Sequence, residues 1–209
     1  MRSFLLVTLL IVGPVPSAVK PALASAATLL VIGDSLSAAY GIDREQGWVQ
    51  LLQQRLNKQG YDYRVINASV SGDTTRNGLS RLPPLLKQHH PHIVIIALGA
   101  NDGLRGLDFT EIRSNLEQLI LLSRQQGGRV LLAGVRLPPN YGADFNRQFA
   151  AIYQQLARQS NIPLVPRLLD QVSDRRALMQ ADGMHPIASA QPQILENVWP
   201  VLKPLLSKE

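Results

Sequence analysis

His92-Ile93-Val94-Ile95-Ile96-Ala97-Leu98 runs directly into Gly99-Ala100-Asn101-Asp102-Gly103, and this junction decides the fold. The apolar run is continuous and rich in β-branched residues, so the strand it predicts has no solvent face. That is the condition of a parallel sheet covered by helices on both sides. Moving outward, Leu29-Leu30-Val31-Ile32 leads into Gly33-Asp34-Ser35-Leu36-Ser37, and Tyr63-Arg64-Val65-Ile66-Asn67 leads into Ala68-Ser69-Val70-Ser71-Gly72-Asp73. Arg129-Val130-Leu131-Leu132-Ala133-Gly134 and the short Pro163-Leu164-Val165 complete the strands. Helical periodicity lies between them, in Trp48 to Leu56 with a stop at Gly60, and from about Thr75 to Gln88, where Pro83 and Pro84 predict a break or kink. Further helices are expected from about Phe109 to Gln126, closed by Gly127-Gly128, from about Phe145 to Gln159, and from about Pro192, with Pro200 disturbing the last. Strands alternating with helices, joined by right-handed crossovers, give an α/β chain with a doubly wound parallel sheet of about five strands.

The chain opens with Met1-Arg2, the apolar run Phe4 to Val12, the breakers Pro14 and Pro16, and then the small-residue pattern Ala24-Ser25-Ala26. This order reads as a secretory signal peptide over residues 1–26, with Ala22-Leu23-Ala24 as an alternative cleavage point. The apolar run is shorter than the roughly 20 residues of a membrane span, which disfavours a retained anchor. A periplasmic or secreted protein is expected, with residues 27–209 forming one domain. Losing Arg2 and Lys20 lowers the formal charge from +6 to +4, and the remaining cations are scattered, which argues against a nucleic-acid partner. The chain has no cysteine, so neither a disulfide nor a thiol nucleophile is available.

Parallel strands place all their carboxyl ends on one edge, where such sheets bind ligands. The loops around Ser35, Gly72, Asn101 and His185 would thus meet there. A serine needs a base, and imidazole is the usual one because it titrates near working pH. His185 is the best-placed histidine, since His89, His90 and His92 bracket Pro91 at the opposite edge, where they read as a helix-to-strand corner rather than a metal cluster. Asp182 precedes His185 by three residues with Gly183 between them, so a tight turn can bring its carboxylate to one ring nitrogen while the other faces Ser35. Pro186 biases His185 to an extended backbone. The Ser35 N–H, the Gly72 N–H and the Asn101 amide are candidate donors to an oxyanion. Taken singly, Ser35, Gly72 and Asn101 are ordinary turn residues, Asp73 and Asp182 are possible helix caps, and His185 is a loop histidine. Their shared edge is what points to a site.

Gly33-Asp34-Ser35-Leu36-Ser37, Ser71-Gly72-Asp73, Gly99-Ala100-Asn101-Asp102 and Asp182-Gly183-Met184-His185-Pro186 resemble, in order and spacing, the four blocks of the SGNH (GDSL) hydrolase superfamily. Asn67 to Thr74, Arg81-Leu82-Pro83 and Arg136-Leu137-Pro138-Pro139-Asn140-Tyr141-Gly142 resemble its bacterial periplasmic esterases that act on aryl esters, acyl-CoA thioesters and lysophospholipids and weakly on peptides. The resemblance implies a three-layer α/β/α sandwich like flavodoxin, with Ser35 as nucleophile, Asp182 and His185 as its partners, and Ser35, Gly72 and Asn101 as oxyanion donors. It implies no metal and no cofactor. Ala100 departs from the glycine frequent in relatives. The Gly-x-Ser-x-Gly elbow of α/β-hydrolases is missing from the sequence, so that fold is the wrong template.

The expected substrate is a small or lipid-like acyl ester or thioester, taken by a monomer. Leu104, Leu107, Leu137, Pro138 and Tyr141 either line an apolar acyl groove or are loop packing. Arg136 either meets an anionic head group or pairs on the surface. A carbohydrate O-deacetylase and a non-catalytic flavodoxin-like binding module are the competing readings.

Overall fold

The computed structural model describes residues 26–207, and the export-signal expectation therefore falls almost wholly outside the described residues. Five strands, β1 (Ala27–Gly33), β2 (Tyr63–Asn67), β3 (Ile93–Ala97), β4 (Arg129–Ala133) and β5 (Leu164–Val165), form one sheet in the order β2-β1-β3-β4-β5. Every neighbouring pair is parallel. The strand order reverses between β1 and β3, whose register pairs Gly33 with Ala97 and so ends both strands at one level. This is the crevice where doubly wound sheets hold ligands.

Alternate strand residues serve opposite faces. Leu29, Val31, Ile93, Ile95 and Leu131 pack against α1 (Trp48–Lys58) and α6 (Gln191–Leu202). Leu30, Ile32, Val94, Ile96 and Leu132 pack against α2 (Thr75–His89), α4 (Phe109–Gln125) and α5 (Ala143–Ser160). The result is the three-layer sandwich expected for the family. Gly47 offers no side-chain cap to α1; the Trp48 N–H instead donates to Oε1 of buried Gln191 at 3.0 Å, which docks the last helix on the first.

Of the break or kink expected at Pro83 and Pro84, the break does not occur: α2 is continuous from Thr75 to His89. Both prolines and Ser80 are exposed and Leu79 is half-buried, so the carbonyls freed by the missing N–H groups lie on the water side of the helix. The cap of α2 is Thr74 rather than Asp73, in a reciprocal capping box with Asn77. A second departure is α3 (Ala100–Leu104), a short helix where sequence reading expects a loop. His92 lies at the amino end of β3, its Nδ1 accepting the Thr28 N–H at 3.2 Å, far along the strand from the loops described next.

Candidate active site

The chain turns sharply at the end of β1. The Ser37 and Ala38 N–H groups donate to the Asp34 carbonyl at 3.1 and 2.9 Å, and the Leu36 N–H donates to Asp34 Oδ1 at 3.0 Å. This turn buries the Asp34 carboxyl and leaves Ser35 partly open to solvent. Burial raises the Asp34 carboxyl to about 7; the Leu36 N–H opposes this, and the negative charges of Asp102 and Asp73 add to it.

After β2 the pairing continues into the loop, with the Ala68 N–H on the Val31 carbonyl at 2.8 Å and the Val70 N–H on the Gly33 carbonyl at 3.0 Å. The Asp73 N–H then closes a turn onto the Val70 carbonyl at 3.2 Å, with Gly72 at φ +85°, a conformation that glycine adopts without strain. Arg81 clamps this loop, donating to Asp73 Oδ2 at 3.0 and 2.5 Å and to the Ala68 carbonyl at 2.9 Å. Arg105 donates to the Gly72 carbonyl at 3.1 Å.

Asn101 lies in the first turn of α3, and its Nδ2 donates to the Asp73 carbonyl at 2.9 Å. One amide N–H is thereby fixed on the Gly72 loop, and the same nitrogen carries a second. Beneath it, buried Asp102 accepts from Thr75 N at 2.9 Å and Thr75 Oγ1 at 2.5 Å, which couples α3 to the start of α2.

The fourth loop brings its residues to the same place. Asp182 Oδ1 accepts the N–H groups of Met184 and His185 at 2.9 and 3.0 Å, folding the segment so that Oδ2 receives His185 Nδ1–H at 2.7 Å. His185 Nε2 then accepts the Ser35 hydroxyl at 2.9 Å. These contacts, led by the imidazole hydrogen bond and followed by the two backbone donors, hold the Asp182 carboxyl down to about 2, so it is ionised throughout the neutral range. The Tyr40 ring leans on the imidazole with centroids 4.4 Å apart.

A cavity of about 210 Å³ opens beside Ser35, Asn101 and His185. Leu104, Arg136, Leu137 and Pro138 stand on its wall, as do Val135, Leu169, Met179 and Met184, which sequence reading did not single out. Val135 lies in the loop after β4 and the other three in the long segment between β5 and α6, where no periodic signal could have marked them. Leu107 and Tyr141 lie off this wall. Both pack against the core on the α2, α4 and α5 face, and the Tyr141 hydroxyl donates to the Leu104 carbonyl at 2.7 Å. Arg136 pairs with Asp174 at 3.3 Å, with both side chains substantially exposed, a pair that adds little stability and leaves the guanidinium at the cavity mouth. Among the described residues, no cluster of histidine and carboxylate side chains has the arrangement of a metal site.

The model of the GDSL-like lipase/acylhydrolase family matches residues 31–191. The chain is 54% identical to the esterase TesA of Pseudomonas aeruginosa over 183 residues, 88% of this chain and 91% of that one. It is 48% identical to an arylesterase of Vibrio mimicus over 170 residues, 81% of this chain and 85% of that one. It is 41% identical to thioesterase 1/protease 1/lysophospholipase L1 of Escherichia coli K12 over 186 residues, 89% and 88% of the two chains. The crystal structure of TesA superposes with a TM-score of 0.85 over 86% of this chain and 99% of that one. With four sequence blocks meeting at one sheet edge and the family model spanning all of them, the chain belongs to the GDSL-like lipase/acylhydrolase family.

Proposed function

We propose that the protein hydrolyses carboxylic esters and acyl thioesters, with Ser35 as nucleophile, His185 as general base and then general acid, and Asp182 as the group that orients the imidazole. The observation that carries this reading is the continuous line from Ser35 Oγ to His185 Nε2 at 2.9 Å and from His185 Nδ1 to Asp182 Oδ2 at 2.7 Å. In the tautomer that satisfies both bonds, Nδ1 carries the proton and Nε2 is free to take one. Ser35 Oγ attacks the acyl carbon as its proton passes to Nε2. The resulting oxyanion is held by the N–H groups of Ser35 and Gly72 and the Asn101 amide. Asp182, ionised, stabilises the imidazolium. Collapse expels the alcohol or thiol, protonated from Nε2, and leaves an acyl-Ser35 ester. Water, deprotonated by the same nitrogen, attacks that ester and releases the acid and the free serine.

Thiols have pKa values near 8.5, so a thiolate leaves with little help from His185, an alcohol needs more, and an amine needs most. Thioesters and activated esters are accordingly the fast substrates and amides the slow ones. The relatives' names, esterase, arylesterase and thioesterase 1/protease 1/lysophospholipase L1, support ester and thioester cleavage as the main reading. Leu104, Leu137 and Pro138 serve as the acyl wall, with Arg136 at the mouth. We further read residues 27–209 as one exported, monomeric hydrolase domain freed of residues 1–26, which the mass and sedimentation of the secreted protein test.

An organophosphate ester decides the chemistry. The expected result is a covalent adduct on the Ser35 peptide and none in Ser35→Ala, which loses turnover while keeping its circular dichroism spectrum. An unlabelled Ser35 would make the protein a binding module. A panel of p-nitrophenyl esters of increasing chain length is expected to show turnover beyond acetyl, whereas activity confined to acetyl esters would favour an O-deacetylase.

A further inference from the structure

We propose that Gln180 is a positioning residue that sets the distance between His185 and Ser35, an inference that rests on reading those two residues as base and nucleophile. The two belong to loops 150 residues apart, and the Ser35–His185 bond alone does not fix how those loops sit. A closed circuit of hydrogen bonds does. The Tyr40 N–H donates to the Ser35 carbonyl at 3.3 Å. The Tyr40 carbonyl accepts from Gln180 Nε2 at 2.8 Å. The Gln180 N–H donates to the His185 carbonyl at 2.7 Å, and His185 Nε2 returns to Ser35 Oγ. Gln180 Nε2 also donates to the Pro186 carbonyl at 3.1 Å, so its amide bridges the residue beside His185 and the residue whose ring leans on the imidazole.

The backbone is shaped around this amide. Gly41 has φ +73°, and a Cβ there would lie 2.3 Å from Gln180 Oε1, so this glycine admits the side chain. Ala39, one residue before Tyr40, also has a left-handed backbone, with φ 60°. Main-chain bonds hold the segment around His185 on itself independently of this side chain: the Ile187 N–H donates to the Leu178 carbonyl at 2.9 Å, and Met179 bridges Pro186. Truncating Gln180 therefore leaves that segment folded and removes its tie to the Tyr40 turn. The consequence falls on the relative placement of base and nucleophile, where a misplacement of about 1 Å can cost about 10²-fold in rate.

The test measures kcat per active site, with sites counted by stoichiometric organophosphate labelling and turnover followed on a p-nitrophenyl ester. Labelling of wild-type Ser35 is read first, and its absence overturns the catalytic reading itself. Given labelling, Gln180→Ala is expected to lower kcat per labelled site by about 10- to 100-fold with KM within about threefold of wild type. Gly41→Ala, which pushes on the same amide from the other loop, is expected to change kcat in the same direction. A folded Gln180→Ala whose kcat per labelled site stays within twofold of wild type overturns the proposal, whatever its Tm. Should Gln180→Ala not fold, Gln180→Met keeps the length and volume without the donors and is read by the same criteria.

Discussion

Asp102→Ala is the substitution whose cost can be worked most directly from the structure. The Asp102 side chain is 1% exposed, and Thr75 opposite it is fully buried. The Thr75 N–H lies 2.9 Å from one carboxylate oxygen and 3.2 Å from the other, the Thr75 hydroxyl donates to Oδ1 at 2.5 Å, and Asn115 Nδ2 donates to that hydroxyl at 3.1 Å. The Thr75 N–H is also one of the donors at the start of α2 that no helix carbonyl can satisfy. Alanine removes two bonds to a charged acceptor, each worth about 1.5–3 kcal/mol, and strands an N–H and a hydroxyl away from water. Relief of the carboxylate's own desolvation offsets part of this. The net loss is about 3 kcal/mol, or roughly 6–12 °C in Tm for a domain of this size. Urea unfolding followed by far-ultraviolet circular dichroism measures it, and Thr75→Val alone and combined with Asp102→Ala completes a double-mutant cycle. The double variant should lose clearly less than the sum of the single losses. A loss below about 1 kcal/mol for Asp102→Ala, or strict additivity, would refute the account of this network.

Two further outcomes follow from the same loops. Asn101→Ala should lower kcat by about 10²–10³ through loss of an oxyanion donor, while losing its single bond to the Asp73 carbonyl costs at most about 1.5 kcal/mol; steady-state kinetics beside urea unfolding separate the two, and an unimpaired kcat would remove Asn101 from the oxyanion site. Asp34→Asn concerns pH: the folded carboxyl titrates at about 7 against 3.8 when free, so the folded chain retains a proton that the unfolded chain releases. Stability contributed by the neutral group is therefore lost as pH rises from about 4 to about 7. Asparagine keeps an acceptor for the Leu36 N–H without ionising, so Asp34→Asn should gain on wild type over that interval, and parallel stability–pH curves would contradict the buried-carboxyl reading.

The strands were legible because Ile93 to Ala97 and Leu29 to Ile32 have no polar face, and their polar exits located Ser35 and Asn101 at one edge. The helices were legible where apolar spacing outlasted a few turns. α3 escaped because Gly99, Asn101, Asp102 and Gly103 all disfavour helix locally; a tertiary contact, the Asp102 carboxylate on Thr75, accompanies the turn instead. The continuity of α2 through Pro83 and Pro84 escaped for the opposite reason, since a local rule about lost hydrogen bonds takes no account of water on the exposed side of the helix. Within the site, Asp182 and His185 announced themselves by a three-residue spacing that permits a turn. Leu107 and Tyr141 belonged to the right loops but face the core, because loop membership does not specify direction. Gln180 bore no signal at all: a lone glutamine in a loop becomes informative only when both carbonyls it meets, one from the far end of the chain, are in view.

If Ser35 and His185 act in the roles proposed above, their separation by 150 residues bears on when the chain can turn over substrate. A chain still being made possesses its nucleophile early, inside β1's exit turn, but has no base to activate it until nearly the whole polypeptide exists. In the folded chain the helix that follows His185 is tied to the first helix by Gln191, which accepts the Trp48 N–H. On that reading turnover requires both ends of the domain to be in place, and ester cleavage reports on the long-range contact between the first loop of the sheet edge and the last.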